Sequence, residues 1–207
     1  MELVEVLTGF KFIGEKIKEL DETGRKKYIF GFEESYGYLA GTFSRDKDAV
    51  VASMLICEMA AYYKSRGMSL YEGLQEIYGK YGFFIEANHS FTLEGREGTE
   101  KIGCAMDVLR EDKTGFFREC EIAAVRDYQL GEKYSPDSGK KSPLDLPVSN
   151  VLYYELRDGS WFCIRPSGTE PKLKIYFGVS GPSADKAEQK LGKIRESVVA
   201  AIKKLLY

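Results

Sequence analysis

Residues 151–179 read VLYYELRDGSWFCIRPSGTEPKLKIYFGV, and the pattern of this stretch predicts strands in the C-terminal half of the chain. Its first part has two runs rich in aromatic and β-branched residues, Val151–Leu156 and Trp161–Ile164, around the turn-forming tetrapeptide RDGS. This pattern predicts a β-hairpin. Its last part alternates apolar and other residues from Leu173 to Val179, which predicts a half-buried strand.

The segment that joins the hairpin to this strand offers hydrogen-bond donors rather than apolar side chains. A guanidinium fork, two hydroxyls, open backbone N–H groups around a glycine and a lysine on the exit strand suit a phosphate dianion. The residues that we predict to bind phosphate are Arg165, Ser167, Gly168, Thr169 and Lys174. The same composition is common in an ordinary turn between two strands, and the residues alone leave that alternative open.

Over the whole chain, the pattern of elements predicts two α+β domains. A long apolar helix is predicted from about Ala49 to Arg66, and extended segments follow it. We place the domains at residues 1–92 and 93–207. Residues 131–149 are rich in Gly, Pro, Ser and Lys and predict a long loop.

The overall composition argues against several classes of function. The 207 residues carry 30 Lys and Arg against 32 Asp and Glu, so no excess of cations favours nucleic-acid binding. No apolar run approaches the ~20 residues that span a bilayer, and no secretory segment is present, so we expect a cytoplasmic protein without a membrane partner. Four widely spaced cysteines and one histidine lack the ligand spacing of a zinc site, so no metal site is predicted in this chain.

A second polar cluster lies in the N-terminal half. Glu33 and Ser35 stand two positions apart on an extended segment, so their side chains point to the same side and suit the hydroxyls of a sugar. A solvated acidic turn is the alternative. The sequence RDKD at residues 45–48 precedes the long helix, where capping by an aspartate is the simpler explanation, and Lys47 matters only if a site is present.

Four segments, taken in order, resemble a known family. They are LTGFKFIG at residues 7–14, GFEESYGY at 31–38, RDKD at 45–48 and RPSGTEP at 165–171. Together they resemble the C-terminal half of the α-D-phosphohexomutases, the phosphoglucomutases and phosphomannomutases, and are closest to the bacterial α-phosphoglucomutase branch. The likeness spans nearly the whole chain.

The resemblance implies a fold and an activity. Residues 1–92 are expected to form the third, sugar-recognising domain, a mixed sheet with helices that lacks its first strands. Residues 93–207 are expected to form a C-terminal α+β domain with an antiparallel sheet. Complete family members interconvert hexose 1-phosphate and hexose 6-phosphate through a phosphoserine and a hexose 1,6-bisphosphate, with Mg²⁺ and glucose 1,6-bisphosphate as implied cofactors. Missing strands would expose sheet edges, so we also expect self-association or domain swapping.

The resemblance also implies roles for individual residues. Lys47 corresponds to a lysine near the transferring phosphoryl group, where it would manage a proton. The RPSGTEP segment corresponds to a phosphate clamp, and Lys174 stands where some relatives have arginine. The positions that correspond to sugar-binding residues are Thr8, Gly9, Glu33 and Ser35.

Two motifs of the family do not occur in this sequence: the Ser-His pair around the phosphorylated serine and the Asp-Gly-Asp loop that holds magnesium. Phosphoryl transfer depends on a metal and a positioned donor. We therefore expect this chain to recognise hexose phosphate, to need the N-terminal domains as a partner, and to be inactive alone. The alternative is a stand-alone, non-catalytic sugar-phosphate binding module.

Overall fold

The computed structural model describes residues 2–33 and 36–207 and divides the chain into two compact units, Met1–Ile77 and Tyr78–Tyr207. This division comes earlier than the predicted boundary at residue 92. The reason is a ten-residue strand, Phe83–Thr92, which pairs along its whole length with a strand near the C-terminus. The fold class is confirmed as mixed α and β, with an antiparallel sheet in the second unit.

The first unit combines helices with a two-stranded antiparallel sheet. Its core contains Phe10, Ile17 and Leu39, which are buried together because the apolar side of the first helix faces the second strand. The elements, with the last helix extending beyond the unit, are α1 (Phe10–Thr23), β1 (Phe30–Glu33), β2 (Gly37–Ala40), α2 (Ala49–Ser65) and α3 (Leu70–Tyr81).

The predicted ends of the long apolar helix are confirmed. The Asp48 carboxylate caps α2 by accepting a hydrogen bond from the Val51 N–H at 2.9 Å. Gly67 follows the helix with a positive φ of 73°, a conformation that favours glycine. Before α3, the Ser69 N–H donates to Glu72 Oε2 at 2.7 Å and the Glu72 N–H donates to Ser69 Oγ at 3.2 Å, which is a capping box.

The second unit is built on a seven-stranded antiparallel sheet within the described residues, in the order β3-β9-β8-β7-β4-β5-β6. Three strands that the sequence predicts around residues 151–179 are adjacent at its centre. The elements are β3 (Phe83–Thr92), α4 (Gly95–Glu111), a 3-10 turn (Gly115–Phe117), β4 (Ile122–Asp127), β5 (Glu132–Ser135), β6 (Lys140–Pro143), β7 (Leu152–Leu156), β8 (Trp161–Pro166), β9 (Lys172–Gly181) and α5 (Ala184–Leu206).

Both long helices of this unit pack on one face of the sheet. Met106 and Leu109 of α4 and Ile202 of α5 share a fully buried cluster with inward-facing strand residues such as Ile164 and Ile175. Successive strand residues point to opposite faces. The alternate residues of β8 and β9 therefore lie on the face that these helices leave uncovered.

The prediction of a long loop at residues 131–149 is wrong in part, because this segment contains the β5–β6 hairpin. Its strands are polar, and all four residues of β6 are exposed, so they lack the apolar alternation that reveals a strand. Ion pairs hold the hairpin instead: Glu132 lies 3.4 Å from Lys113 Nζ and 3.0 Å from Lys141 Nζ.

No helix among residues 2–33 and 36–207 combines the length and the apolar character that a bilayer crossing requires.

Candidate functional site

Arg165 and Lys174 lie opposite each other on the neighbouring strands β8 and β9. Directly opposed residues in an antiparallel pair have Cβ atoms about 4.5–5.5 Å apart. The buried neighbours Ile164, Leu173 and Ile175 occupy the helix-covered face. Both cations therefore extend from the uncovered face of the sheet, where they are half-buried.

The charges of these two side chains are not compensated within the described part of the chain. Neither the Arg165 guanidinium nor the Lys174 ammonium forms a hydrogen bond or ion pair there. Like charges directly opposed on a sheet are destabilising, so this pair opposes folding until an anion lies between them. This pair of opposed, uncompensated cations is the strongest chemical feature of the second unit.

The loop that joins β8 to β9 begins beside this pair. The Ser167 N–H donates to the Lys172 carbonyl at 2.8 Å and closes the loop, while Ser167 Oγ accepts from the Thr169 N–H at 3.4 Å. Gly168 and Thr169 are exposed at the tip. The structure thus brings all five predicted phosphate-binding residues to one loop and its flanking strands.

Gly168 does not adopt a left-handed conformation, since it is absent from the positive-φ glycines of the described residues. A Cβ added at Gly168 would meet nothing within 4 Å. The glycine therefore leaves open space above the loop for a ligand, and it does not relieve a strained turn.

Glu170 and Lys172 flank Pro171 at the end of the loop. The Lys172 N–H donates to the Glu170 carbonyl at 2.7 Å, and the two side chains form an ion pair at 3.0 Å. The Pro171 carbonyl accepts from the Leu93 N–H at 3.0 Å, which ties the loop to the end of β3. Lys172, on the same side of β9 as Lys174, therefore has a counter-ion.

In the first unit, two residues that the sequence singled out come together. Glu33, at the end of β1, lies 3.9 Å from Lys47 Nζ, and its side chain is only 11% exposed against 53% for the lysine. Gly37 permits this approach, because a Cβ there would come 2.7 Å from Glu33 Oε1 and 3.0 Å from Lys47 Cδ. Ser35, the predicted partner of Glu33, lies outside the described residues.

Lys47 has two further contacts that fix its head group. Its Nζ lies 3.2 Å from Asp46 Oδ1 and 5.7 Å from the centre of the Phe10 ring. Hydrogen bonds from the backbone N–H and then the side chain of Lys47 lower the pKa of the Asp46 carboxyl. The ammonium of Lys47 is therefore held between two carboxylates and an aromatic face.

Thr8 and Gly9 stand at the start of α1, immediately before Phe10. Gly9 is the N-cap residue with a positive φ of 124°, and its carbonyl accepts from the Phe12 N–H at 3.1 Å. Thr8 is exposed and its hydroxyl is available to a ligand. The Phe10 ring connects this helix start to Lys47.

Sequence reasoning did not select Lys11 and Lys18 as candidate binding residues, and both line a shallow depression along α1. Lys11 and Lys18 share this depression with Arg45, which is paired with Asp21 at 2.5 Å. The seven-residue spacing of the two lysines places them on one side of a helix, and this spacing was the signal available in the sequence. Gly14 lets the Arg45 backbone pack there, since a Cβ would lie 2.4 Å from the Arg45 carbonyl oxygen.

The implied magnesium ion does not fit this part of the chain. Residues 2–33 and 36–207 bring no group of three or more His, Cys, Asp or Glu side chains together in a way that could hold a metal. No chemical step is therefore assigned to a metal on these residues.

Comparisons with known proteins agree with the two-unit organisation. The family model described as phosphoglucomutase/phosphomannomutase, alpha/beta/alpha domain III, matches residues 1–81. The model described as phosphoglucomutase/phosphomannomutase, C-terminal domain, matches residues 111–197.

Curated relatives give the same result. A phosphoglucomutase from Staphylococcus aureus (strain bovine RF122 / ET3-1) is 40% identical over 191 residues, which are 92% of this chain and 34% of the relative. A phosphoglucomutase from Staphylococcus haemolyticus is 37% identical over 185 residues, 89% of this chain and 33% of the relative. This chain thus spans about a third of the length of these relatives.

Among solved structures, the open form of pp63/parafusin, a phosphoglucomutase from Paramecium, shares the fold. Its TM-score is 0.62 at 18% identity, covering 96% of this chain and 34% of that chain. Two family models in series, relatives near 40% identity and this shared fold lead to one conclusion. The chain belongs to the phosphoglucomutase/phosphomannomutase family.

Proposed function

We propose that this chain provides hexose-phosphate recognition in an enzyme that interconverts hexose 1-phosphate and hexose 6-phosphate through a phosphoserine and a hexose 1,6-bisphosphate. The observation that carries the proposal is the pair of opposed cations, Arg165 and Lys174, without counter-ions among the described residues. An anionic ester between them would turn an unfavourable contact into two favourable ones.

The phosphate-binding part of the proposal assigns a task to each group at the β8–β9 loop. Arg165 donates two parallel hydrogen bonds, and Lys174 contributes a point charge from the next strand. The hydroxyls of Ser167 and Thr169 and the backbone N–H groups near Gly168 complete the donor set. The uncovered sheet face and the empty space above Gly168 leave room for this ligand.

The sugar-binding part rests on the first unit. The Glu33 carboxylate accepts hydrogen bonds from sugar hydroxyls, and we assign sugar contacts also to Thr8, to Gly9 and, from its place in the sequence alone, to Ser35. Lys47 Nζ, next to Glu33, is the atom at which we expect a proton to be held or released. The proximity of Glu33 and Lys47 supports this pairing of roles.

Phosphate binding is tested by titrating the chain with glucose 1,6-bisphosphate in a calorimeter. We expect a millimolar dissociation constant, equivalent to about 4 kcal/mol, because this chain supplies only part of the contacts. Arg165→Ala should abolish binding, whereas Arg195→Ala, an exposed position on the helix-covered side, should not change it. Equal affinity of both variants would contradict the assignment. Micromolar or tighter binding would favour a stand-alone binding module.

Catalysis is tested by complementation. We propose that the chain alone does not convert glucose 1-phosphate to glucose 6-phosphate, and that it restores conversion when mixed with a Staphylococcus aureus phosphoglucomutase that lacks the matched region. Magnesium and glucose 1,6-bisphosphate are supplied in the assay. A stable complex that stays inactive would show that the residue roles are wrongly assigned, and turnover by the chain alone would refute its dependence on a partner.

We also propose that two copies of this chain associate through α2. This helix is apolar along its length and buries none of its residues, with Val50, Met54 and Tyr62 exposed by 80%, 55% and 57%. Large exposed apolar patches are rare on monomers. Met54→Lys should shift sedimentation towards the monomer, whereas Lys64→Met should not. A wild-type chain that sediments as a monomer at high concentration would refute the association.

A further inference from the structure

Three cations surround the candidate phosphate site, and only one of them has a counter-ion among the described residues. Arg165 and Lys174 are unpaired, whereas Lys172 forms an ion pair with Glu170 at 3.0 Å. Glu170 is also the single acidic residue between Arg165 and Lys174 in the sequence. A carboxylate in the middle of an anion-binding loop needs a physical explanation.

Two links join residues 170 and 172 around Pro171. The backbone N–H of Lys172 donates to the Glu170 carbonyl at 2.7 Å, so the turn persists without the side chains. The ion pair is a second link between partly exposed groups, with 32% of the Lys172 side chain and 54% of the Glu170 side chain exposed. Exposed ion pairs contribute little to stability. The carboxylate is therefore not required to hold the loop, and its main effect is electrostatic.

We propose that Glu170 limits the affinity of this site for phosphate by holding the Lys172 ammonium and by opposing the ligand with its own charge. The proposal rests on the proposed phosphate-binding function and names the residue that sets its strength. Without the Glu170 charge, Lys172 turns towards the ligand on the side of β9 that already carries Lys174. The site as built thus binds a dianion loosely enough to release it.

The size of the effect follows from Coulomb's law. Removing one negative charge roughly 7 Å from a phosphate dianion in water changes the affinity about three- to sevenfold, depending on screening by salt. Glu170→Gln removes that charge and keeps the length of the side chain. A role in positioning the loop would predict the opposite sign, because the variant would loosen the loop and weaken binding.

The experiment is a titration of the full chain with inorganic phosphate at pH 8 and constant ionic strength, followed through the NMR signals of the Ser167–Thr169 amides. We expect Glu170→Gln to lower the dissociation constant about three- to sevenfold through the removed charge, and further through the Lys172 ammonium that it releases. Lys172→Met should weaken binding in the wild-type background, because it leaves the Glu170 carboxylate without its counter-ion. In the Glu170→Gln background it should reduce the gain to the direct effect of the removed charge. Glu188→Gln, an exposed position on α5, is the matched control and should leave the constant unchanged.

The outcomes separate this inference from the function on which it rests. Phosphate binding that disappears in Arg165→Ala but is unchanged or weaker in Glu170→Gln overturns the inference alone. If Glu170→Gln raised the phosphate affinity by the same factor in the presence and absence of Lys172, the inference would also be overturned, because the lysine would then play no part. Absence of phosphate-induced shifts in both wild type and Arg165→Ala overturns the proposed function itself.

Discussion

Removing one of the two opposed cations should stabilise the second unit while it weakens phosphate binding. Lys174 faces Arg165 across β9 and β8, and neither has a counter-ion among the described residues. Two like charges about 6 Å apart repel by about 0.7 kcal/mol in bulk water and by about 1.4 kcal/mol at an effective dielectric constant of about 40. Cross-strand side-chain pairs change the stability of a sheet by about 0.2–1 kcal/mol, and directly opposed like charges lower it. Lys174→Gln should therefore raise the free energy of unfolding by about 0.5 kcal/mol at low salt.

The assay is urea unfolding monitored by Trp161 fluorescence. This single tryptophan lies in β8, stacked on Tyr153 at 5.4 Å, so its signal reports on the sheet that contains the site. Local detection matters because the chain has two units and need not unfold in one step. Lys193→Gln, an exposed position on α5, is the control and should leave the unfolding midpoint unchanged.

Salt should remove the stability gain of Lys174→Gln, and phosphate should reverse it. The gain of Lys174→Gln should vanish in 1 M NaCl, where the Debye length is about 3 Å. Phosphate at 20 times its dissociation constant should stabilise the wild type by about 1.8 kcal/mol and the variant much less, so the order of stability reverses. A variant that is less stable than wild type at low salt without phosphate would contradict the repulsion between Arg165 and Lys174.

Three further changes test the contacts of the Trp161 ring, of the Glu33 side chain and of the Glu132 carboxylate. Gly178→Ala should lower the free energy of unfolding by about 1–3 kcal/mol in the same urea assay, because its Cβ would come 2.3 Å from the Trp161 ring; an unchanged midpoint would contradict this contact. Gly37→Ala should displace Glu33 and weaken sugar binding in calorimetry without loss of the phosphate-induced NMR shifts. Burial opposes ionisation of Glu132, but the Lys141 and Lys113 ammonium groups outweigh it and lower its pKa. The stabilisation from Glu132 is thus present above its unfolded pKa of about 4.3 and is lost as the pH falls through the lower folded value, and Glu132→Gln should reduce this acid-dependent loss in urea melts from pH 7 to pH 3.

Local patterns predicted the elements whose side chains alternate or repeat clearly. The apolar run and the terminal glycine placed α2 to within one residue, and the alternation from Leu173 to Val179 predicted β9. The β5–β6 hairpin escaped because its strands are polar and depend on ion pairs to Glu132 from distant parts of the chain. Sequence periodicity contains no signal for such long-range charge pairs.

The boundary between the two units also depends on long-range pairing that local sequence patterns do not reveal. Phe83–Ile85 and Ser90–Leu93 look like two short extended segments in the sequence, yet residues 83–92 form one strand. Its partner β9 lies about 90 residues later, and their ten-residue register assigns this strand to the second unit. Pairing over such a separation is decided by the sheet as a whole. The contact between Glu33 and Lys47 was also found only in the structure, because it joins the end of β1 to the loop before α2 and no local pattern marks it.

The candidate phosphate site and the core of the second unit depend on the same register. Ile164, Leu173 and Ile175 are completely buried beneath the helices, and alternation then forces Arg165 and Lys174 to the opposite face. A slip of one residue would bury both cations and expose the apolar residues, at a cost far above the repulsion between two exposed charges. Hydrophobic burial therefore holds two like charges together that would otherwise separate. The anion site needs no specific attraction between its own residues, and this explains how a loop without a hydrophobic core can remain preformed for its ligand.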